Sequence, residues 1–205
     1  MSQKKIPFGR PMLDQKEIDA VAQVLSGPQL VHGPSAEQFE TAFAKRIGTL
    51  SAVSVSSCTA ALHLAMISHG VGPGDEVIVP AMTHVATAHA VEFCGAVPVF
   101  VDVERDTGNI DADCLGAAIT SRTRALMVVH YIGLPCDMSR ILPIARAADL
   151  FVVEDCALAL DATYGRQKAG SIGDVGCFSF YPVKHMTTIE GGMATTNNSL
   201  LAEAI

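Results

Sequence analysis

Charge is scarce in this sequence. Only 17% of its 205 residues are Asp, Glu, Lys or Arg, while 49% are hydrophobic. That balance excludes a disordered or fibrous chain, which buries too little apolar surface to fold. Positive charge is the scarcest kind: 14 Lys and Arg stand against 21 Asp and Glu, for a net charge of −7. A general nucleic-acid binder shows a basic face instead, and the seven His add positive charge only at lower pH. Long apolar runs are also missing. Val77–Met82 and Ala125–Val129 fall far short of the roughly 20 residues of a membrane span. Met1–Lys5 has the charge of a signal-peptide start, but Pro7, Gly9 and Arg10 interrupt the adjoining stretch. No apolar run succeeds it, so a cytoplasmic rather than a secreted protein is expected. Cysteines 58, 94, 114, 136, 156 and 177 include no C-x-x-C pair. They read as reduced, mostly buried thiols, with no clustered ligand set for zinc or another metal. No G-x-G-x-x-G follows the first strand, which argues against a nicotinamide enzyme. Internal repeats and low-complexity tracts are absent as well.

What is present is an alternation. Strands are expected at Ala52–Ser56, Glu76–Pro80, Val97–Val103, Arg124–Tyr131, Leu150–Glu154, Cys177–Tyr181 and Gly192–Thr196. Helices are expected between them at Thr59–His69, Thr87–Phe93, Asp111–Ile119 and Ser139–Ala148. The early strands are continuous apolar runs, the pattern of strands buried on both faces. Repeated β-α-β units of this kind imply a mainly parallel sheet sandwiched between helix layers. The last two strands, joined by Pro182–Gly191, are placed to break the parallel pattern. Ahead of the sheet, Ile18, Val21, Ala22, Val24 and Leu25 outline an amphipathic helix ending near Gly27. Ser35 is the expected cap of a second helix, Ala36–Ile47, closed by Gly48. Residues 1–35 thus form an arm and 36–205 one large α/β domain. The helical run Ser199–Ile205 stops without an ending signal, so a longer natural chain is expected.

Ligands of open α/β sheets bind beyond the carboxyl ends of the strands, and four such places carry chemistry. At Ser56-Ser-Cys-Thr-Ala, the free N–H groups of a helix start and the Thr59 hydroxyl suit a phosphate; simple capping by Ser57 or Thr59 accounts for them too. Glu154-Asp155 ends a strongly apolar strand. A carboxylate there is either the partner of a cationic ring nitrogen, worth roughly 4 kcal/mol at ~4 Å in an effective dielectric near 20, or a helix cap. Lys184 sits among Pro182, Val183 and Met186, whereas Lys4, Lys5, Lys16, Lys45 and Lys168 have polar or charged neighbours. Apolar surroundings make a lysine a usable amine nucleophile; a snorkelling or salt-bridged lysine is the plainer reading. His84 opens a loop after a strand, placed to stack on a flat cofactor, to act as acid or base, or to hydrogen-bond in the core. His130 shares that ambiguity, as do His63, His89 and His185. Together these places supply what pyridoxal 5'-phosphate requires: a lysine, an acid for the pyridine nitrogen and an anion site.

At these residues the sequence resembles the DegT/DnrJ/EryC1/StrS family of pyridoxal-phosphate aminotransferases. The resemblance runs through Ile6-Pro-Phe-Gly-Arg-Pro, Gly33-Pro, Ser57-Cys-Thr-Ala-Ala-Leu, Pro80-Ala-Met-Thr-His-Val-Ala-Thr, Val129-His-Tyr-Ile-Gly, Glu154-Asp155, Gly173–Lys184 and Glu190-Gly-Gly. It implies a three-layer fold-type-I large domain, without the family's small C-terminal domain. It implies that Lys184 is the Schiff-base lysine and proton shuttle, and that Asp155 pairs with the pyridine nitrogen. Thr59, Ala60 and Ser179 would bind the phosphate, and His84 takes the place of the family's stacking aromatic ring. Leu158 stands where the family often has Gln.

The function so implied is transfer of an amino group from an amino acid, glutamate by resemblance, to a keto-sugar nucleotide. The family implies a homodimer with sites built across the interface. Two alternatives stand beside it: another fold-type-I reaction such as sugar dehydration, and a truncated non-catalytic or regulatory paralogue. Family dehydratases have His in place of the lysine, so Lys184 favours amino transfer.

Overall fold

A computed structural model describes residues 9–205. Met1–Phe8, which include Lys4, Lys5 and the Ile6-Pro-Phe start of the family resemblance, lie outside the described residues. Seven strands form one sheet: β1 (Ser51–Val55), β2 (Glu76–Pro80), β3 (Val97–Val101), β4 (Thr123–Val129), β5 (Phe151–Asp155), β8 (Val175–Ser179) and β9 (Gly192–Thr196). Their spatial order is β1-β9-β8-β5-β4-β2-β3. Strands β3, β2, β4, β5 and β8 run parallel, and β9 lies antiparallel between β8 and β1. The expected break in the parallel pattern is therefore β9 alone. The sequence gives no sign of a two-stranded ribbon, β6 (Thr163–Tyr164) with β7 (Gln167–Lys168); each strand is only two residues long, too short for a period to show.

The helices are α1 (Gln15–Leu25), α2 (Pro34–Ile47), α3 (Cys58–Ser68), α4 (Val85–Glu92), α5 (Ala112–Ala118), α6 (Met138–Ala147) and α7 (Ser199–Ala204). The expected Ser35 cap is corrected: Gly33 is the N-cap of α2, and Pro34 and Ser35 lie inside the helix. Proline suits the first helical turn, whose N–H groups have no intrahelical partner. Gly48 closes α2 in the left-handed region, at φ 91°. Helix α1 begins with a capping box of Asp14 and Glu17, yet none of its residues is buried.

Helices α3 and α4 cover one face of the sheet, where Ala61, Leu62, Ala65 and Met66 meet Val77, Val79, Met127, Val153 and Cys177. Helices α5 and α6 cover the other, where Leu115, Ile141 and Ala145 meet Ile78, Leu126, Val128 and Val152. Alternate residues of each strand serve opposite layers, which is why the central strands read as unbroken apolar runs. Strand β3 departs from that expectation: at the sheet edge, its Val97 and Phe100 are exposed. The core of α2 is aromatic, with Phe43 edge-on to Phe178 and Phe180. Among the described residues, no helix is long and apolar enough to cross a membrane.

Candidate active site

The parallel strands end on one edge, and the chemistry-bearing residues collect there. A small cleft of about 80 Å³ is lined by Thr83, His84, His130, Tyr131, Asp155, Leu158 and Lys184. Four residues singled out in the sequence, His84, His130, Asp155 and Lys184, thus share one cavity.

Asp155 is the last residue of β5 and is buried. Its Oδ1 accepts the Ala157 N–H at 3.0 Å and, at 3.9 Å, the Cys58 thiol. Its Oδ2 accepts the Thr87 hydroxyl at 3.1 Å. Burial raises the carboxyl above the ordinary aspartate range, while Ala157, Thr87 and the Lys184 charge pull it back. Among the described residues Asp155 has no ion pair. A buried carboxylate with no ion pair in contact favours a cation brought in by a ligand.

Glu154, one residue earlier, faces the opposite layer and is fully engaged. It accepts N–H groups from Gly170, Ile172 and Gly173 at 2.9, 2.8 and 2.6 Å. His130 completes the set, with Nε2 at 2.9 Å from Glu154. The Cys136 N–H ends on His130 Nδ1 at 3.1 Å, so the ring proton sits on Nε2 and points at Glu154. The two adjacent acids therefore divide the readings left open by the sequence: Asp155 faces the cleft, and Glu154 ties down a loop. His130 is a satisfied core histidine. With Glu154 and Cys156 it also forms a cluster of possible metal ligands within 4.8 Å of one another, which sequence spacing did not reveal. Its imidazole and carboxylate are already committed to hydrogen bonds.

His84 caps α4, accepting the Ala86 N–H on Nδ1 at 3.2 Å. That bond fixes the ring at the cleft mouth, where it is exposed. Lys184 is half-buried in the loop from β8 to β9, and its N–H donates to the Tyr181 carbonyl at 2.9 Å. The loop is pinned at both ends: the N–H groups of Phe180 and Thr188 donate to Gly191 and Phe180 at 2.9 and 3.0 Å.

The predicted phosphate residues Thr59, Ala60 and Ser179 do not line the cleft; Cys58, beside Thr59, is the link to it through Asp155. Ser57 caps α3 by accepting the Ala60 N–H at 3.1 Å, so the capping role is filled and that donor is already used. Among the described residues, nothing engages the Thr59 hydroxyl. Ser179 ends β8 and pairs with Gly192, which on its other flank pairs with Val55 of β1. A Cβ on Gly192 would meet the Ser57 carbonyl carbon at 2.4 Å and the Cys58 nitrogen at 2.6 Å. Only glycine allows β9 this close to the start of α3. Gly133 does the same at the cleft wall: at φ 87°, its Cβ would lie 2.9 Å from the Leu158 carbonyl oxygen. Sequence reasoning missed Thr87 and Cys58 as contacts of Asp155. Both look like ordinary helix residues, and only the packing of α3 and α4 on β5 turns them toward the acid.

Comparison with known proteins agrees with this arrangement. The profile of the DegT/DnrJ/EryC1/StrS aminotransferase family matches residues 11–205. GDP-perosamine synthase of Caulobacter vibrioides is 47% identical over 199 residues, covering 97% of this chain and 54% of that protein. The X-ray structure of an aminotransferase from Psychrobacter cryohalolentis superposes with a TM-score of 0.93 at 42% identity, covering 97% of this chain and 51% of that one. A Streptococcus pneumoniae structure described as a PLP form gives 0.91 at 37% identity, covering 96% and 54%. The chain spans about half the length of these relatives.

Proposed function

Because the chain belongs to the DegT/DnrJ/EryC1/StrS aminotransferase family, we propose that it carries the pyridoxal-phosphate site of an aminotransferase acting on a keto-sugar nucleotide, with an amino acid, glutamate first among candidates, as donor. One observation carries the reading: a buried Asp155, without an ion pair among the described residues, and Lys184 line the same cleft at the sheet's carboxyl edge. The residues present fit the cofactor. Among the described residues Asp155 has no ion-pair partner and the Thr59 hydroxyl has no hydrogen-bond partner, and glycine keeps the backbone close behind the anion site. Residues 36–205 form the cofactor domain and 1–35 the arm, and the working unit is a cytoplasmic homodimer.

When bound, the cofactor supplies an aldehyde that takes up amines and a ring that accepts electrons from the carbon being deprotonated. The chain supplies the rest. Lys184 Nζ would anchor the cofactor and would then take and return the proton moved between donor and cofactor carbons. Asp155 holds a proton on the ring nitrogen by its charge. The Thr59 and Ser179 hydroxyls bind phosphate oxygens, and His84 closes one side of the cleft. Leu158 adds an apolar wall and no hydrogen bond.

The test is an absorption spectrum of the protein mixed with pyridoxal phosphate, followed by borohydride reduction and peptide mapping. A visible band trapped as an adduct on Lys184, absent from Lys184→Ala, is the expected result. Amino transfer from glutamate to a keto-sugar nucleotide is then followed by product analysis. Transfer retained by Lys184→Ala, or an adduct on another lysine, overturns the assignment.

A further inference from the structure

The contacts around Asp155 fix more than its place. A hydroxyl has one proton to give. Thr87 gives its proton to Asp155 Oδ2 at 3.1 Å, since an ionised carboxylate only accepts. Its second contact, 2.7 Å to the Thr83 hydroxyl, must then run the other way, with Thr83 donating. The direction is thus fixed: Thr83 to Thr87 to Asp155. Hydrogen bonds in such a chain polarise and strengthen one another. Thr87 is completely buried, and Thr83 lines the cleft. On the other oxygen, the Ala157 N–H and the Cys58 thiol close the remaining approaches. Burial, then Asp155, pushes the Cys58 thiol well up, so it stays an S–H donor. Thr83 and Thr87 flank His84, the N-cap of the same helix turn. One turn of α4 therefore sets both the ring at the cleft mouth and the acid at its floor.

We infer that Thr87, with Thr83 behind it, is a positioning residue that orients Asp155 and keeps it ionised for a cationic ring in the cleft. The inference rests on the functional reading of Asp155 above. It reaches beyond it by assigning a task to two residues that, among the described residues, hydrogen-bond to each other and to Asp155 rather than to the lysine or the proposed phosphate residues. A hydroxyl supplying one hydrogen bond to a buried carboxylate favours the charged form by a margin worth about tenfold or more in an equilibrium. The groups that face Asp155 are Cys58 on α3, Cys156 just after β5, Cys177 on β8, His130 after β4 and Lys184 in the loop. None of them replaces a lost hydroxyl at Oδ2.

The experiment compares Thr87→Val, Thr87→Ser and Asp155→Asn with the parent 205-residue chain. Two readouts are taken: the dissociation constant for pyridoxal phosphate by absorption titration, and the Asp155 carboxyl titration by carbon NMR without cofactor. Thermal unfolding checks that each variant is folded. Thr87→Val is expected to weaken cofactor binding about tenfold or more and to raise the Asp155 midpoint by about one unit. Thr87→Ser is expected to restore both. Unchanged values in Thr87→Val, or equal losses in the valine and serine variants, overturn the inference. If Asp155→Asn binds as tightly as the parent, the functional reading of Asp155 fails instead. The NMR titration, which needs no cofactor, still decides the Thr87 link in that case.

Discussion

The two faces of the sheet meet at the end of β5 in two neighbouring carboxylates with opposite fates. On the α5/α6 side, Glu154 receives three backbone N–H groups and an imidazole N–H. Every approach to it is taken, so it holds the 170–173 loop and has nothing left for a ligand. On the α3/α4 side, Asp155 receives an N–H, a hydroxyl and a long thiol contact, and it opens on the cleft. Both are buried, and both end the same strand. The difference lies in whether the protein itself finishes the neutralisation. A closed set stabilises the fold, while an open one stores an unfavourable charge that a cationic ligand relieves.

Removing Glu154 is the strongest way to break this contrast. Glu154→Ala leaves three N–H groups and His130 without their acceptor, at a cost of about 3–5 kcal/mol. Urea unfolding of the variant is expected to show that loss. A cost below about 1 kcal/mol, the scale of an exposed pair, would mean that Glu154 is no anchor and that the two acids are alike. Next in size is Gly192→Ala, which strikes the Asp155 face. The added methyl meets the Ser57 carbonyl and the Cys58 nitrogen, so either β9 or α3 must shift, costing about 1–3 kcal/mol. Because the shift falls at the proposed anion site, cofactor binding is expected to weaken along with stability.

Much of the framework around this contrast was legible in the sequence, and the contrast itself was hidden for a definite reason. Unbroken apolar runs such as Phe151-Val-Val revealed a parallel sheet covered on both sides, and Asp155 and Lys184 stood out by their surroundings. The division of labour between Glu154 and Asp155 stayed open, because it depends on which residues from distant segments reach each one. Glu154's partners come from residues 130 and 170–173, and Asp155's from 58, 87 and 157. A period of two separates the faces, but it does not name the donors waiting on each. In the sequence Gly192 is no more than part of a motif, since its crowding by Ser57 arises from tertiary approach.

Asp155→Asn sharpens the comparison with a smaller effect. Burial raises the carboxyl pKa in the folded chain, so the unfolded state ionises first as pH rises. Stability then falls with rising pH through the window between the ordinary aspartate value, about 3.9, and the raised folded one. An asparagine does not titrate. The variant is therefore expected to equal or exceed the parent in stability at pH 7, by at most about 1 kcal/mol. The gain shrinks as pH falls through that same window and is gone below the ordinary aspartate value, and chemical denaturation at pH 4 and pH 7 measures it. A large loss at pH 7 would place Asp155 with Glu154 as a structural anchor.

The smallest effect tests the loop that serves Glu154. Asp161 precedes the β6–β7 ribbon and pairs with Arg46 of α2 and Lys168 of β7. Hydrogen bonds from Arg46 and then Lys168 hold its carboxyl down at about 2. Lys168 leads directly into Ala169 and Gly170, where the Glu154 contacts begin. A depressed folded pKa adds stability that is complete above the ordinary aspartate value and is lost as pH falls through about 2. The pair is partly exposed, so salt screens it and the slope is shallow. Asp161→Asn is expected to flatten the acid limb of the stability curve between about pH 4 and pH 2, leaving the cofactor titration at neutral pH unchanged. Hydrogen exchange at the Gly170 and Ile172 amides is expected to quicken in the same variant, while exchange at Ala157, on the Asp155 side, stays as it was. Equal quickening on both sides would show that the two faces share one support, and the separation between anchor and site would fall.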